Sequence, residues 1–202
     1  MKRSKIKKRQ VRRRILILCE GETERNYFQA IKEDPDFKQI LSAIYPQVVA
    51  AKHPTPKQVV KEAKERLKKE ADQGNPYDKV WVVFDHDNHP NRTEAYTIAK
   101  KESFGIAFTA IAFEMWFLLH FKRTAKGFTN DKKLRTTLQD HYPNYEKAKQ
   151  NDFAKLKPHL SEAFKNAVWL RSEKFDEKKA ITDHNPWTDV DVLVEELIEA
   201  DK

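Results

Sequence analysis

With a single cysteine in 202 residues, the chain has no material for a disulfide framework or a cysteine-based zinc site. Four glycines leave no GxxxxGK[ST] or GxGxxG loop to cradle a phosphate, so no ATPase activity is expected in this chain. No Ser-His-Asp arrangement stands in a nucleophile turn. No apolar run approaches the roughly 20 residues of a membrane span, so no membrane association is expected. The first such run, Ile15 to Cys19, meets Glu20 too early to be the core of a secretory signal. The cytoplasm is therefore the expected compartment.

Charge is plentiful but unevenly placed. Residues 1–14 hold nine Lys/Arg and no acid. Subtracting these from the 39 basic residues leaves 30 against 31 acidic ones, a nearly neutral body behind a basic tail. Residues 1–13 read as a disordered tail whose cations suit a phosphate backbone, with Arg12, Arg13 and Arg14 as candidate substrate contacts.

Five apolar residues in a row, Ile15-Leu-Ile-Leu-Cys19, suit a strand buried on both faces, and the run breaks into Glu20-Gly-Glu-Thr-Glu24. The arrangement returns as Val80-Trp-Val-Val-Phe84 followed by Asp85-His-Asp87. A buried strand cannot tolerate unpaired acids, so each cluster must lie at a strand tip. Chemistry in an open α/β sheet sits at the carboxyl ends of strands. If the two strands are neighbours, their acids make one oxygen-rich pocket of the kind that binds Mg²⁺ or Mn²⁺. Glu20, Asp85 and Asp87 are the candidate catalytic and metal-binding residues. Asp85 and Asp87 flank one residue and point to the same side of an extended strand, where a cation would relieve their repulsion. Glu24 lies one helical turn beyond Glu20, whereas Glu22 suits the positive end of a helix. Glu114, embedded in Phe113, Met115 and Trp116, needs a buried partner and joins the candidate metal ligands. His86 and His89 are candidate contacts to substrate phosphate, while His120 reads as a satisfied core histidine.

Between these motifs, spacing predicts helices over about 23–33, 57–72 and 92–102, with Thr23 as the first N-cap and Gly21 in a tight turn. A weaker strand is expected near 47–51 and another at 105–110. The apolar stretch Phe113 to Phe121 predicts a buried helix. This alternation calls for a parallel sheet with helices on both faces. The organisation expected is a core over 14–122 and a helical extension over 123–202 packed on it. The extension carries helical patterns only, near 131–141, 160–171 and 188–200. Asp85-His-Asp-Asn-His and Asp183-His-Asn-Pro186 superficially suggest HNH nuclease sites, but the first follows a buried strand and not a ββα unit.

Four segments, ILILCEGETE, VWVVFDHDNH, FEMWFLLHF and NPWTDVDVLVEEL, resemble the RloB family of bacterial defence-associated proteins. Glu20-Gly21 and Asp85-x-Asp87 are also similar to the two halves of a Toprim catalytic core, especially its OLD-type version. The resemblance implies a Toprim-like, Rossmannoid fold with divalent metal on Glu20 and the Asp85/Asp87 pair. It implies a metal-dependent endonuclease in antiviral abortive infection, with RNA or tRNA favoured over DNA, and leaves room for a separate ATPase subunit as partner. Where related sequences carry Ser-Asn-Pro-Cys before Phe-Glu, this chain has Thr109-Ala-Ile-Ala112. Sequence alone does not decide between Glu20 as ligand and as general base. The alternative function is a nucleic-acid-binding or regulatory component that performs no cleavage. The extension reads first as a helical cap that buries one face against the sheet. The functional alternative is that it borders the acidic pocket, with Tyr142, Tyr145, Phe153, Phe164 and Trp169 stacking on unpaired bases and Lys147, Lys149 and Lys155 on phosphates.

Overall fold

A computed structural model describes residues 12–86, 89–149 and 152–199. The run from Ile15 to Cys19 is inaccessible to solvent along its length and forms β1 (Arg13–Cys19). It is followed by α1 (Glu22–Glu33), β2 (Ile44–Ala50), α2 (Pro56–Asp72), β3 (Lys79–Asp85), α3 (Arg92–Lys101), β4 (Gly105–Ala110) and α4 (Glu114–Leu119). The C-terminal part adds α5 (Asp131–Gln139), α6 (Asp152–Leu156), α7 (Leu160–Lys174), β5 (Trp187–Thr188) and α8 (Val190–Ile198). The sheet order is β2-β1-β3-β4-β5, with β1 to β4 parallel and β5 antiparallel to β4. This is the α/β, Rossmannoid sheet that the sequence calls for.

Strand alternation divides the core in two. Ile15, Ile17, Trp81 and Val83 face one cluster, which takes in Tyr27 and Phe28 of α1 and the whole apolar body of α4. Leu16, Leu18, Val80, Val82 and Phe84 face the other, covered by Val59, Val60 and Ala63 of α2 and Ala95 and Ala99 of α3. Asp85, two residues beyond Val83, continues the first face. Gly105 pairs with Trp81 in register, and the indole fills the space that a Cβ at Gly105 would need.

Two expectations are corrected. The extension is not wholly helical: Trp187 and Thr188 form β5, pairing with Ala110 and Thr109. The Thr109 and Thr188 hydroxyls lie 3.1 Å apart. A two-residue strand carries no periodicity, so tertiary pairing alone reveals it. Nor is Thr23 the N-cap of α1; Gly21 is, with extended backbone at φ −135° that any residue could adopt. Glycine is favoured there by space, since a Cβ would come within 3.0 Å of the Glu24 Oε2.

Beyond α4 the chain is locked by buried polar contacts. Asn166 on α7 donates to the Leu119 carbonyl at 2.8 Å, satisfying an orphan acceptor at the end of α4. Arg171 grips Asp191 with two bonds of 2.6 Å and donates to the Thr188 carbonyl at 2.7 Å, joining α7, β5 and α8. Among the described residues no helix is long and apolar enough to cross a membrane.

Candidate functional site

The chain leaves β1 toward β2 on one side and returns through α2 to β3 on the other, so β1 and β3 are neighbours at the point where the winding reverses. Crevices outside the carboxyl ends of strands at such a point are where ligands bind in open α/β sheets. Glu20 follows β1 there, and Asp85 ends β3. The Glu20 amide donates to the Val83 carbonyl at 2.9 Å, and the Asp85 amide donates to the Glu20 Oε2 at 3.1 Å. Sixty-five residues apart in sequence, the two residues are thus joined through the Asp85 backbone. His89 adds its Nε2 at 3.6 Å from the Glu20 Oε1.

Glu24 and Glu114 come to the same place from the helices. Glu24, in the first turn of α1, is buried and accepts from its own backbone N–H and that of Gly21. Burial pushes its pKa up to about 7, with Glu114 repulsion adding to the rise and Lys147 opposing it. Glu114 opens α4, has no solvent exposure, and accepts from the Tyr145 hydroxyl at 2.8 Å. Its Oε2 is buried with no hydrogen-bond partner among the described residues. Burial and the adjacent Glu114 carboxylate also push the Tyr145 phenol well above its ordinary range.

Lys147, in the loop after α5, is the cation of this cluster. Burial alone would lower its pKa, but Glu114, Asp85 and Glu24 outweigh that and hold the ammonium protonated. Arg135 lies within electrostatic reach of Glu114 while pairing with Asp131. At the end of β4, Ala110, Ile111 and Ala112 are buried apolar residues, and the Thr109 hydroxyl lies against that of Thr188. Among the described residues no three His, Cys, Asp or Glu side chains converge closely enough to hold a metal ion. Asp87 lies outside the described residues.

A family model for RloB-like proteins matches residues 15–197. The chain belongs to the RloB-like family. No curated protein and no solved structure matches it. In this RloB-like chain the structure gathers Glu20, Glu24, Asp85, Glu114 and His89 of the residues singled out in the sequence. His86 follows Asp85, its amide donating to the Thr109 carbonyl at 2.9 Å.

Arg13 and Arg14 go elsewhere. They start β1, about 20 Å of strand from its carboxyl end, and Arg12 precedes them in an exposed position. Arg13 pairs with Glu196 at 3.1 Å. Arg14 pairs with Glu70 at 3.0 Å and lies over the Tyr77 ring. The second His-Asn segment is structural. His184 accepts from the Asp176 amide at 2.9 Å, and the Asn185 amide group brackets the Phe128 backbone. Tyr142, Tyr145 and Phe153 are core residues with no face open to a base, and Phe164 and Trp169 pack against that core. Lys147 faces the carboxylates, whereas Lys149 pairs with Glu146 at 2.8 Å. Tyr145 and Arg135 are members of the site that sequence reasoning did not assign to it, because their roles depend on a fold-back of the extension.

Proposed function

We propose that this RloB-like chain is a divalent-metal-dependent nuclease cutting phosphodiester bonds, with RNA or tRNA favoured over DNA, acting in antiviral defence. The observation that carries the reading is the junction of Glu20 and Asp85 at the reversal point of the sheet, with Glu24, Glu114 and Lys147 around it. The donors are oxygens, the chemistry that Mg²⁺ and Mn²⁺ select. A buried Glu114 oxygen without a donor and an ammonium drawn among three carboxylates both register a local demand for positive charge. Glu20 and Asp85 would hold the ion, with Asp87, Glu24 and Glu114 completing its surroundings. Such an ion polarises a phosphate oxygen and lowers the pKa of a bound water.

The chain's own groups divide the remaining work. Lys147 offers an ammonium to a phosphate oxygen beside the acids, which would otherwise repel a polyanion. His89, exposed on one side and close to Glu20, is set to donate to substrate or to relay a proton. Tyr145 fixes the Glu114 carboxylate at 2.8 Å, so the acid cannot turn away. A separate ATPase subunit is the partner that would supply the energy-driven control this glycine-poor chain lacks.

One observation favours a second reading, a nucleic-acid-binding component without cleavage: Lys147 already neutralises the cluster, and three ligands do not converge among the described residues. Incubating the full chain with pooled cellular RNA and with plasmid DNA, in Mg²⁺, Mn²⁺ or chelator, separates the two. Metal-dependent cleavage that vanishes in Asp85→Asn and Glu20→Gln supports the nuclease. Binding without cleavage under every metal supports the alternative.

A further inference from the structure

At the other end of α4 lies a second concave site, about 520 Å³ in volume. It is removed from Glu114 by about 9 Å of helix. Its floor is His120, 2% exposed. The His120 Nδ1 lies 2.9 Å from the Trp116 carbonyl, which makes this nitrogen the N–H donor. Burial, reinforced by the nearby His159, lowers the ring's pKa to about 3 and keeps it neutral. The Nε2 is therefore a lone-pair acceptor, and it is buried with no hydrogen-bond partner among the described residues. An acceptor held in this way loses free energy until a ligand supplies an N–H or O–H.

The walls specify the rest of that ligand. Phe121 and His141 present parallel rings, 4° apart in plane with centres 6.5 Å apart, and His159 lies 5.1 Å from Phe121. These faces suit a flat, aromatic ligand. At the rim Lys165 is paired with Glu162 at 2.7 Å. Arg123 stacks on Trp169 at 4.4 Å and has no ion pair among the described residues. Its guanidinium is the group for an anion. An acceptor just beneath the bottom, reached when the lining side chains part, aromatic walls and a cation at the mouth describe a base, and a phosphate attached to it.

We infer that this cleft is a nucleotide-binding site, taking an amino-bearing nucleobase against His120 Nε2 and its phosphate on Arg123. It is distinct from the carboxylate cluster and does not depend on cleavage there. The nucleotide could be free in solution or an unpaired residue of a strand. Both share this chemistry, and RNA-binding proteins recognise splayed bases in the same way.

Titration calorimetry of the full chain in EDTA tests the inference without any metal chemistry. The probes are AMP, CMP, purine riboside 5′-monophosphate, ribose 5-phosphate, and single-stranded eight-residue oligonucleotides of A and of C. We expect saturable binding of AMP or CMP, or of their oligonucleotides. Removal of the amino group should weaken binding about tenfold, the cost of leaving a buried acceptor unpaired. Preference for the mononucleotide identifies a free ligand, and preference for the oligonucleotide identifies a strand; either supports the site. His120→Phe keeps the ring and its packing and should weaken binding about tenfold. Should that variant melt early, Arg123→Gln, at an exposed position, should also weaken phosphate-bearing probes about tenfold. Ribose 5-phosphate binding as tightly as AMP would overturn the inference. So would affinities unchanged in His120→Phe and Arg123→Gln, or no saturation by any probe up to about 1 mM.

Discussion

Glu24 ties the charge cluster to a measurable stability. The pKa of its buried carboxyl rises from an ordinary value of 4.5 to about 7, burial being the largest cause. The sign follows from linkage: the folded chain keeps a proton that the unfolded chain releases, so stability is full below pH 4.5 and is lost as pH rises through 7. At 1.36 kcal/mol per pH unit the loss between pH 4.5 and pH 8 is about 3 kcal/mol. Glu24→Gln keeps the shape and an acceptor for the two backbone donors but cannot ionise. Urea unfolding of both proteins in EDTA at pH 4.5 and pH 8 gives the comparison. The wild type should lose about 3 kcal/mol more than the variant between those pH values. In melting temperature that is roughly 6–12 °C for a chain of this size. Identical pH responses in the two proteins would refute the argument, because titrating groups remote from Glu24 cancel in the difference, and only its neighbours Glu114 and Lys147 respond to its loss. Under the proposed function, Mg²⁺ should return much of the loss at pH 8 by engaging the ionised form.

Further expectations follow from packing and charge. Gly105→Ala sets a Cβ 2.3 Å from the Trp81 Cδ2 and should cost roughly 1–3 kcal/mol in urea unfolding; a neutral result would mean the indole moves freely. Arg171→Met strips the buried Asp191 of its two-bonded partner and should cost about 3–5 kcal/mol, whereas the double variant with Asp191→Leu should recover most of it. Deleting residues 1–12 removes seven Lys/Arg. The log–log salt slope of nucleic-acid binding should then flatten by about 0.7–0.9 for every phosphate that the tail had neutralised. An unchanged slope would exclude the tail from binding.

The two apolar strands and their acidic ends were legible in the sequence because burial on both faces demands unbroken apolar runs, and because acids can follow only where a strand emerges. The parallel α/β class followed from the alternation of those strands with amphipathic helices. That Glu20 and Asp85 meet was expected from the repeated strand-and-acid pattern and from the family resemblance, but no local pattern shows it, since adjacency of β1 and β3 depends on the crossing of α2. In the functional reading of the extension, Lys147 and Tyr145 were a phosphate contact and a base-stacking residue, respectively. Folding of the extension over α4 turned the first toward three carboxylates and buried the second against Glu114. Arg13 and Arg14, next to the acidic motif in sequence, lie a whole strand away in space, where they pair with Glu196 and Glu70. His120 was correctly expected to be buried, but a periodic pattern cannot say whether a buried nitrogen finds a partner. Local residue chemistry thus determined the elements and the acids available. Which acids, cations and open acceptors face one another was decided by non-local packing, because those neighbours exist only once the chain has closed.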